Sequence, residues 1–322
     1  MPSASAKADI VDSLDRLRQT VPALKFRARV LASVRAGFDS RGFTEVTTPV
    51  RIAAPAAEEY IDAPPSGAFF LRTSPELEMK RLLCAGMERI YQIGPCFRAG
   101  ERGRLHRTEF DMLEFYMAHA DYLELLALIR GIIIETAVKC TGGTKIKSRG
   151  CEVELGGEWA MIPVREAFRR FAGVSADEVA EQESLFEEIL VGKVEPNLPK
   201  DRPCVLIDYP VRFGAFARTK PSDPTLVERW EVYVAGVELA NTYGELIDPV
   251  VQRERFAAAR ATRKRLGLTE YPEPTAFLDA IDRGMPPAAG SALGFDRLVM
   301  LLAGADSLAQ IDFPLDDDGQ GS

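Results

Sequence analysis

The residues of this chain best suited to chemistry lie between positions 97 and 116, FRAGERGRLHRTEFDMLEFY. Arg98 closes one apolar segment and a charged, glycine-bearing loop follows. A second segment then carries Phe110, Glu114 and Tyr116 at even spacing. In a strand, side chains alternate between faces, so these three point the same way. An aromatic ring, a carboxylate and a phenol opposite a fixed guanidinium suit a site for a nucleotide and a cationic small molecule.

Segments able to position such a site follow from the pattern. Residues 8–21 read as a short helix, and Phe26, Val30, Val34 and Phe38 recur every four residues in a second one ended by Gly42. Residues 43–48 form a β-branched and aromatic run stopped by Pro49, and 53–67 read as loop. Ser74 then reads as an N-cap with Pro75 at the first helical position. Residues 90–98 and 109–117 read as two strands, 123–138 as an apolar helix, 204–209 as a strand. Residues 228–234 and 237–242 pair as a hairpin across Ala235-Gly236. A helix at 252–266 carries Arg253, Arg255, Arg260, Arg263, Lys264 and Arg265, read as a solvated face. Residues 294–302 open with glycine and continue as a helix. Strands joined mainly by hairpins and mixed with helices give an α+β class built on an antiparallel sheet.

Composition narrows the function classes. The chain has 322 residues, 46% hydrophobic and 27% charged, as for an ordinary globular enzyme. No apolar run approaches the roughly 18 residues that cross a bilayer, and the first residues lack a secretory core, so no membrane role is expected. The five cysteines include no CxxC pair, and there are two histidines, which argues for reduced thiols in a cytoplasmic protein and against a zinc site. A formal net charge of −8 argues against extensive nucleic-acid contact.

Three ordered stretches resemble the signature motifs of the class II aminoacyl-tRNA synthetases, lysyl branch. The helix followed by residues 42–49, GFTEVTTP, resembles motif 1, which in that family forms a dimer interface. Residues 97–116 resemble motif 2, and residues 290–297, GSALGFDR, resemble motif 3. The resemblance implies the class II catalytic fold over residues 1–322 as one domain, a homodimer, and ATP with Mg²⁺. Carried over onto matching positions, Arg98 would lie between the substrate carboxylate and the α-phosphate. Arg297 would hold the γ-phosphate and cover the adenine, Phe110 would stack beneath it, and Glu101 and His106 would fold over the nucleotide with Gly294 beside it. Glu231 and Glu238 would hold Mg²⁺ through carboxylate oxygens. Lysine carries two ammonium groups, so its pocket needs carboxylates at both ends. Glu76, at the start of the Ser74-Pro75 helix, matches the α-amino ligand. Glu114 and Glu245 match the ε-amino ligands, supported by Tyr116 and Asn241. Asn241 and Glu238 have opposite strand parity, so one site can hold both only across a bulge near Ala240.

The lysyl branch carries an anticodon-binding barrel before motif 1, whereas here motif 1 arrives by Gly42 after helical patterning. The chain therefore resembles the truncated paralogue that attaches lysine or (R)-β-lysine to a lysine side chain of elongation factor P. Ala292 agrees, since the tRNA-charging enzymes usually have glycine there. The Met117-Ala118 end of motif 2 is closer to the tRNA-charging enzymes. Alternatives are a lysine-adenylating enzyme with another acceptor and a catalytically inactive binding module. The acidic tail, 315–322, reads as disordered.

Overall fold

A computed structural model of the chain describes residues 4–314 apart from Ala57 and Glu59; the tail expected to be disordered lies outside them. The two expected N-terminal helices are one, α1 (Ala4–Asp39), which runs through Pro22. Proline removes one ladder donor and crowds the preceding turn, which is why a break is expected there. The apolar residues Val30, Val34 and Phe38 are fully buried beyond it, and their packing holds the helix together.

The centre of the molecule is a nine-stranded sheet. Its strands are β1 (Thr44–Glu45), β2 (Arg89–Phe97), β3 (Glu109–Ala118), β4 (Ala160–Pro163), β5 (Cys204–Pro210), β6 (Thr219–Lys220), β7 (Asp223–Val234), β8 (Val237–Gly244) and β9 (Ala288–Gly294). They lie in the order β1-β2-β3-β9-β8-β7-β5-β4, with β6 beside β7. Only the outer pairs β1/β2 and β4/β5 are parallel. The run at 43–48 is reduced to the two residues of β1. Strand β9 was not expected: its sequence, AAGSALG, lacks β-branched and aromatic residues, and its place between β3 and β8 supplies the pairing instead.

One face of the sheet packs on α1, α3 (Tyr122–Thr141) and a C-terminal helix, Phe295–Ala303. Leu113, Phe115, Val232 and Leu293 point into that core. The opposite face holds the cavity described below. It is bordered by α2 (Glu76–Cys84), by the helix Pro249–Arg265 and by the helix Thr275–Asp282, whose Leu77, Phe256 and Phe277 share a separate apolar cluster. Among the described residues no helix is long and apolar enough to cross a membrane.

Candidate active site

Residues directly opposite one another in a sheet share a face. One row runs Gln92, Glu114, Ala292, Asn241, Glu231 across β2, β3, β9, β8 and β7. The next runs Ile90, Tyr116, Gly290, Tyr243, Arg229. The expected bulge is present. Val232 pairs with Ala240 while Tyr233 pairs with Glu238, which leaves Leu239 as the extra residue. This returns Glu238 to the face of Asn241. The hairpin turn that precedes it has Ala235 at φ 51° and Gly236 at φ 74°, the two positive φ values that match the twist of the flanking strands.

The face carries a cavity of about 860 Å³, enough for a nucleotide and an amino acid together. Ser74, Glu76, Arg98, Glu101, His106, Phe110, Glu114, Tyr116, Glu238, Asn241, Glu245, Ala292, Gly294 and Arg297 all line it. Glu231 does not. It is buried beside the cavity, with Oε2 accepting from the hydroxyls of Tyr209 at 2.6 Å and Tyr233 at 2.8 Å and Oε1 from Arg229 at 2.6 Å.

At one end sits a cluster of carboxylates. Glu114 is 2% exposed, and its two oxygens accept from Ser74 Oγ at 2.7 Å and the Tyr116 hydroxyl at 2.6 Å. Burial pushes its carboxyl up to about 8, reinforced by the charge of Glu76 and opposed by those hydrogen bonds and by Lys80. Ser74 Oγ also accepts from Glu76 N at 3.0 Å. The expected N-cap is displaced by one residue: the helix starts at Glu76 with Pro75 at the cap position, and Ser74 takes the first helical N–H from one residue further out. Glu245, 1% exposed, is raised by burial to about 7 against the opposing charge of Lys80. Asn241 donates to the Tyr243 hydroxyl at 3.2 Å, while its Oδ1 is buried without a partner. An unpaired buried acceptor beside buried carboxyl groups fits a cationic ligand.

The other end is cationic. The Arg98 guanidinium lies 5.3 Å from the centre of the Phe110 ring, and its Nε is buried without a hydrogen bond. Burial works against its charge, but Glu58 and Glu101 outweigh it and hold the pKa above the ordinary value. Arg297 donates to the Glu238 carbonyl at 2.7 Å and to its carboxylate at 3.3 Å. Arg297 Nη2 also meets His106 Nε2 at 2.9 Å. Burial and then the charge of Arg297 hold His106 below its ordinary value, so at neutral pH the ring is uncharged and accepts from the guanidinium. Behind them, Arg27 of α1 pairs with Asp111 at 2.5 Å and with Asp296 at 2.7 Å, tying motif 3 to α1.

Glu231 and Glu238 belong to one electrostatic group, since burial and then the charge of Glu231 raise the Glu238 carboxyl. Hard carboxylate oxygens suit Mg²⁺, but only Glu238 reaches the cavity; both oxygens of Glu231 are engaged by Tyr209, Tyr233 and Arg229, so the expected two-carboxylate site is not open in this arrangement. Among the described residues no group of three or more His, Cys, Asp or Glu side chains forms a metal site. A cation held at Glu238 therefore needs further oxygens, such as phosphates, for the rest of its shell.

Three contributors were not singled out from the sequence. Lys80, one turn beyond Glu76, is 2% exposed and ion-paired inside the cluster. Gly290 lies beneath Tyr116 and Glu245, where a methyl group would overlap both. Arg263, read as part of a solvated face, is fully buried. It donates to the carbonyls of Thr269 at 2.8 Å, Glu58 at 2.8 Å and Ile61 at 3.1 Å, pairs with Asp62, and lies 4.5 Å from the Tyr271 ring. Only the i,i+4 spacing of Glu76 and Lys80 left a signal in the sequence.

The family described as tRNA synthetases class II (D, K and N) matches residues 6–316. The chain is 33% identical over 310 residues to a lysine–tRNA ligase of Moorella thermoacetica, a match covering 88% of this chain and 63% of that protein. It is 34% identical over 317 residues to a lysine–tRNA ligase of Pelotomaculum thermopropionicum, covering 90% and 62%. A lysine–tRNA ligase of Prochlorococcus marinus is likewise 34% identical over 317 residues, covering 90% and 63%. The chain thus spans 62–63% of the length of these curated relatives.

Proposed function

The chain belongs to the class II tRNA synthetases of the D, K and N type and has their α+β catalytic fold, and from that premise we propose that it activates lysine, or (R)-β-lysine, with ATP and transfers it to a lysine side chain of elongation factor P. The observation that carries the first half is the group of Glu76, Glu114 and Glu245, the last two buried, at one end of a cavity whose other end presents Arg98 and Arg297. Carboxylates this deeply buried are costly unless a cation joins them. A substrate with two ammonium groups and one carboxylate complements that arrangement.

In the proposed first step the lysine carboxylate attacks the α-phosphate of ATP, forming the lysyl-adenylate and expelling pyrophosphate. Two anions must meet, and Arg98, with an unpaired Nε, screens them. Glu76 takes the α-ammonium. Glu114 and Glu245 take the ε-ammonium, with Tyr116 orienting Glu114 and Asn241 Oδ1 accepting. Phe110 and Arg297 enclose the adenine once Arg98 swings from the ring to the phosphates. Glu238 would hold Mg²⁺, which neutralises phosphate charge when bound, and Glu231 would join it only on release from Arg229 and the two tyrosines. In the second step the acceptor amine attacks the adenylate carbonyl; an amide forms, AMP departs and the amine loses its proton. A second protomer docks through α1 and residues 42–49.

Ala292 supports the protein acceptor. It lies in the sheet row between Glu114 and Asn241, so its methyl group borders the substrate chain. By resemblance, alanine at this place accompanies the enzymes that modify elongation factor P. The names of the relatives support tRNA as the rival acceptor.

The test is pyrophosphate exchange with each amino acid and with β-lysine, followed by mass measurement of elongation factor P and charging of lysine tRNA. Expected are exchange with lysine or β-lysine and a mass gain on the factor. Absence of exchange with either refutes the activation step, and exchange with charging of tRNA but no mass gain refutes the acceptor. Glu114→Gln is expected to lower kcat/KM for lysine roughly a hundredfold, because a carboxylate–ammonium pair is replaced by a neutral contact.

A further inference from the structure

Lys80 has no part in the steps above, yet its ammonium sits between two carboxylates that line the cavity. Nζ lies 2.5 Å from Glu76 Oε1 and 2.5 Å from Glu245 Oε2, and the side chain is 2% exposed. A Glu–Lys pair one turn apart on a helix ordinarily sits in water and contributes a few tenths of a kcal/mol. This pair is mostly withdrawn from water and shared with a carboxylate from just beyond β8, so desolvation makes it a poor device for stability alone. We propose that Lys80 is a positioning residue: its buried ammonium clamps Glu76 and Glu245 together, so that with all three carboxylates ionised around a bound substrate there is room for two further positive charges, which selects a substrate bearing two ammonium groups. The inference rests on the lysine-activating reading.

The charge count follows from the groups that face one another. Glu76 from α2, Glu114 from β3 and Glu245 from beyond β8 supply three carboxyl groups, and when all three are ionised around a bound diammonium substrate Lys80 neutralises one. Tyr116 of β3 and Phe216 contribute ring faces 5.9 and 5.5 Å from Nζ. Arg218 acts on Glu245 from the strand side. Burial works against the Lys80 charge, but Glu245 and then Glu76 outweigh it and hold the ammonium protonated well above its ordinary range. Lys80 therefore does not titrate in the working pH range. It holds its two partners in place for the α- and ε-ammonium groups of the substrate.

Lysine-dependent pyrophosphate exchange from pH 6 to 9.5 with the full chain tests this. In Lys80→Met, Glu76 and Glu245 face each other without the cation, so one of them takes up a proton at neutral pH. The acid limb of kcat/KM for lysine is expected to move up by about one pH unit or more, with roughly a tenfold or greater loss at pH 7 that shrinks towards pH 9. The loss falls on KM for lysine and leaves KM for ATP within about twofold. Lys80→Arg keeps the charge and is expected to hold the limb where the wild type has it, whatever its loss of rate. A uniform loss at every pH in Lys80→Met, or a displaced limb in Lys80→Arg, would overturn the role of Lys80; if Lys80→Met does not fold, Lys80→Gln replaces it under the same criterion. Wild-type protein without lysine-dependent exchange would instead refute the activation reading.

Discussion

Gly290 shows how a residue without a side chain shapes this pocket. It sits opposite Tyr116 on one neighbouring strand and Tyr243 on the other, and a methyl group there would overlap the Tyr116 ring and a Glu245 oxygen. Tyr116 orients Glu114, so displacing the ring also displaces the carboxylate. Gly290→Ala is expected to lower kcat/KM for lysine roughly a hundredfold, since a misplacement of about 1 Å at a reacting site costs that much. ATP affinity should stay within about threefold, because Arg98, Phe110 and Arg297 lie at the other end; equal loss for both substrates would contradict the assignment. At this scale much was legible. Alternation along one strand is enough to put Phe110, Glu114 and Tyr116 on one face, and opposite parity on β8 is enough to demand the bulge found at Leu239. Gly290 and Lys80 were not legible as site residues, because their roles depend on which strand lies next to which. The sheet places β9 between β3 and β8, an order that local periodicity does not encode.

Elements carry the site by fixing its borders, and the helix Pro249–Arg265 does so through one buried cation. Its sequence reads as a basic, solvated surface, and Arg253 fits that description, paired with Asp282 at 42% and 44% exposure. Arg263 instead turns inward and gathers the carbonyls of Glu58, Ile61 and Thr269. Charge runs give no hint of such a role, since the loop that Arg263 holds is some 200 residues away in sequence. Arg263→Met should leave several buried acceptors unpaired and cost about 3 kcal/mol in denaturant unfolding. Arg253→Ala, which breaks an exposed pair, should leave the unfolding midpoint essentially unchanged. Comparable losses in the two variants would show that Arg263 does not anchor the loop. Elements with strong local signals, such as the 123–138 apolar segment and the Ala235-Gly236 hairpin, were legible in outline. The continuous α1 and the strand AAGSALG were not, because tertiary packing overrides the proline in one and weak propensity in the other.

The whole molecule binds more protons than its unfolded chain over part of the pH scale, and the pocket is one cause. Glu114 is raised to about 8 and Glu245 to about 7 from an ordinary 4.5. Between those limits the folded protein holds protons that the unfolded chain has released, so their contribution to stability is present below pH 4.5 and is lost as pH rises through 7 and 8. A bound lysine reverses this, because its ammonium groups favour the ionised carboxylates. Lysine should therefore raise the melting temperature more at pH 8.5 than at pH 6. The two shifts should differ by an amount equivalent to roughly 1 kcal/mol or more at saturation. Norleucine, which lacks the ε-ammonium, should give a smaller shift with little pH dependence. In Glu114→Gln the excess shift at high pH should fall by about half. Calorimetry in buffers of differing ionisation enthalpy provides an independent reading, since binding at pH 7 must release protons. A lysine shift that is equal at both pH values, with no proton release, would mean that the buried carboxylates do not receive the substrate's charge.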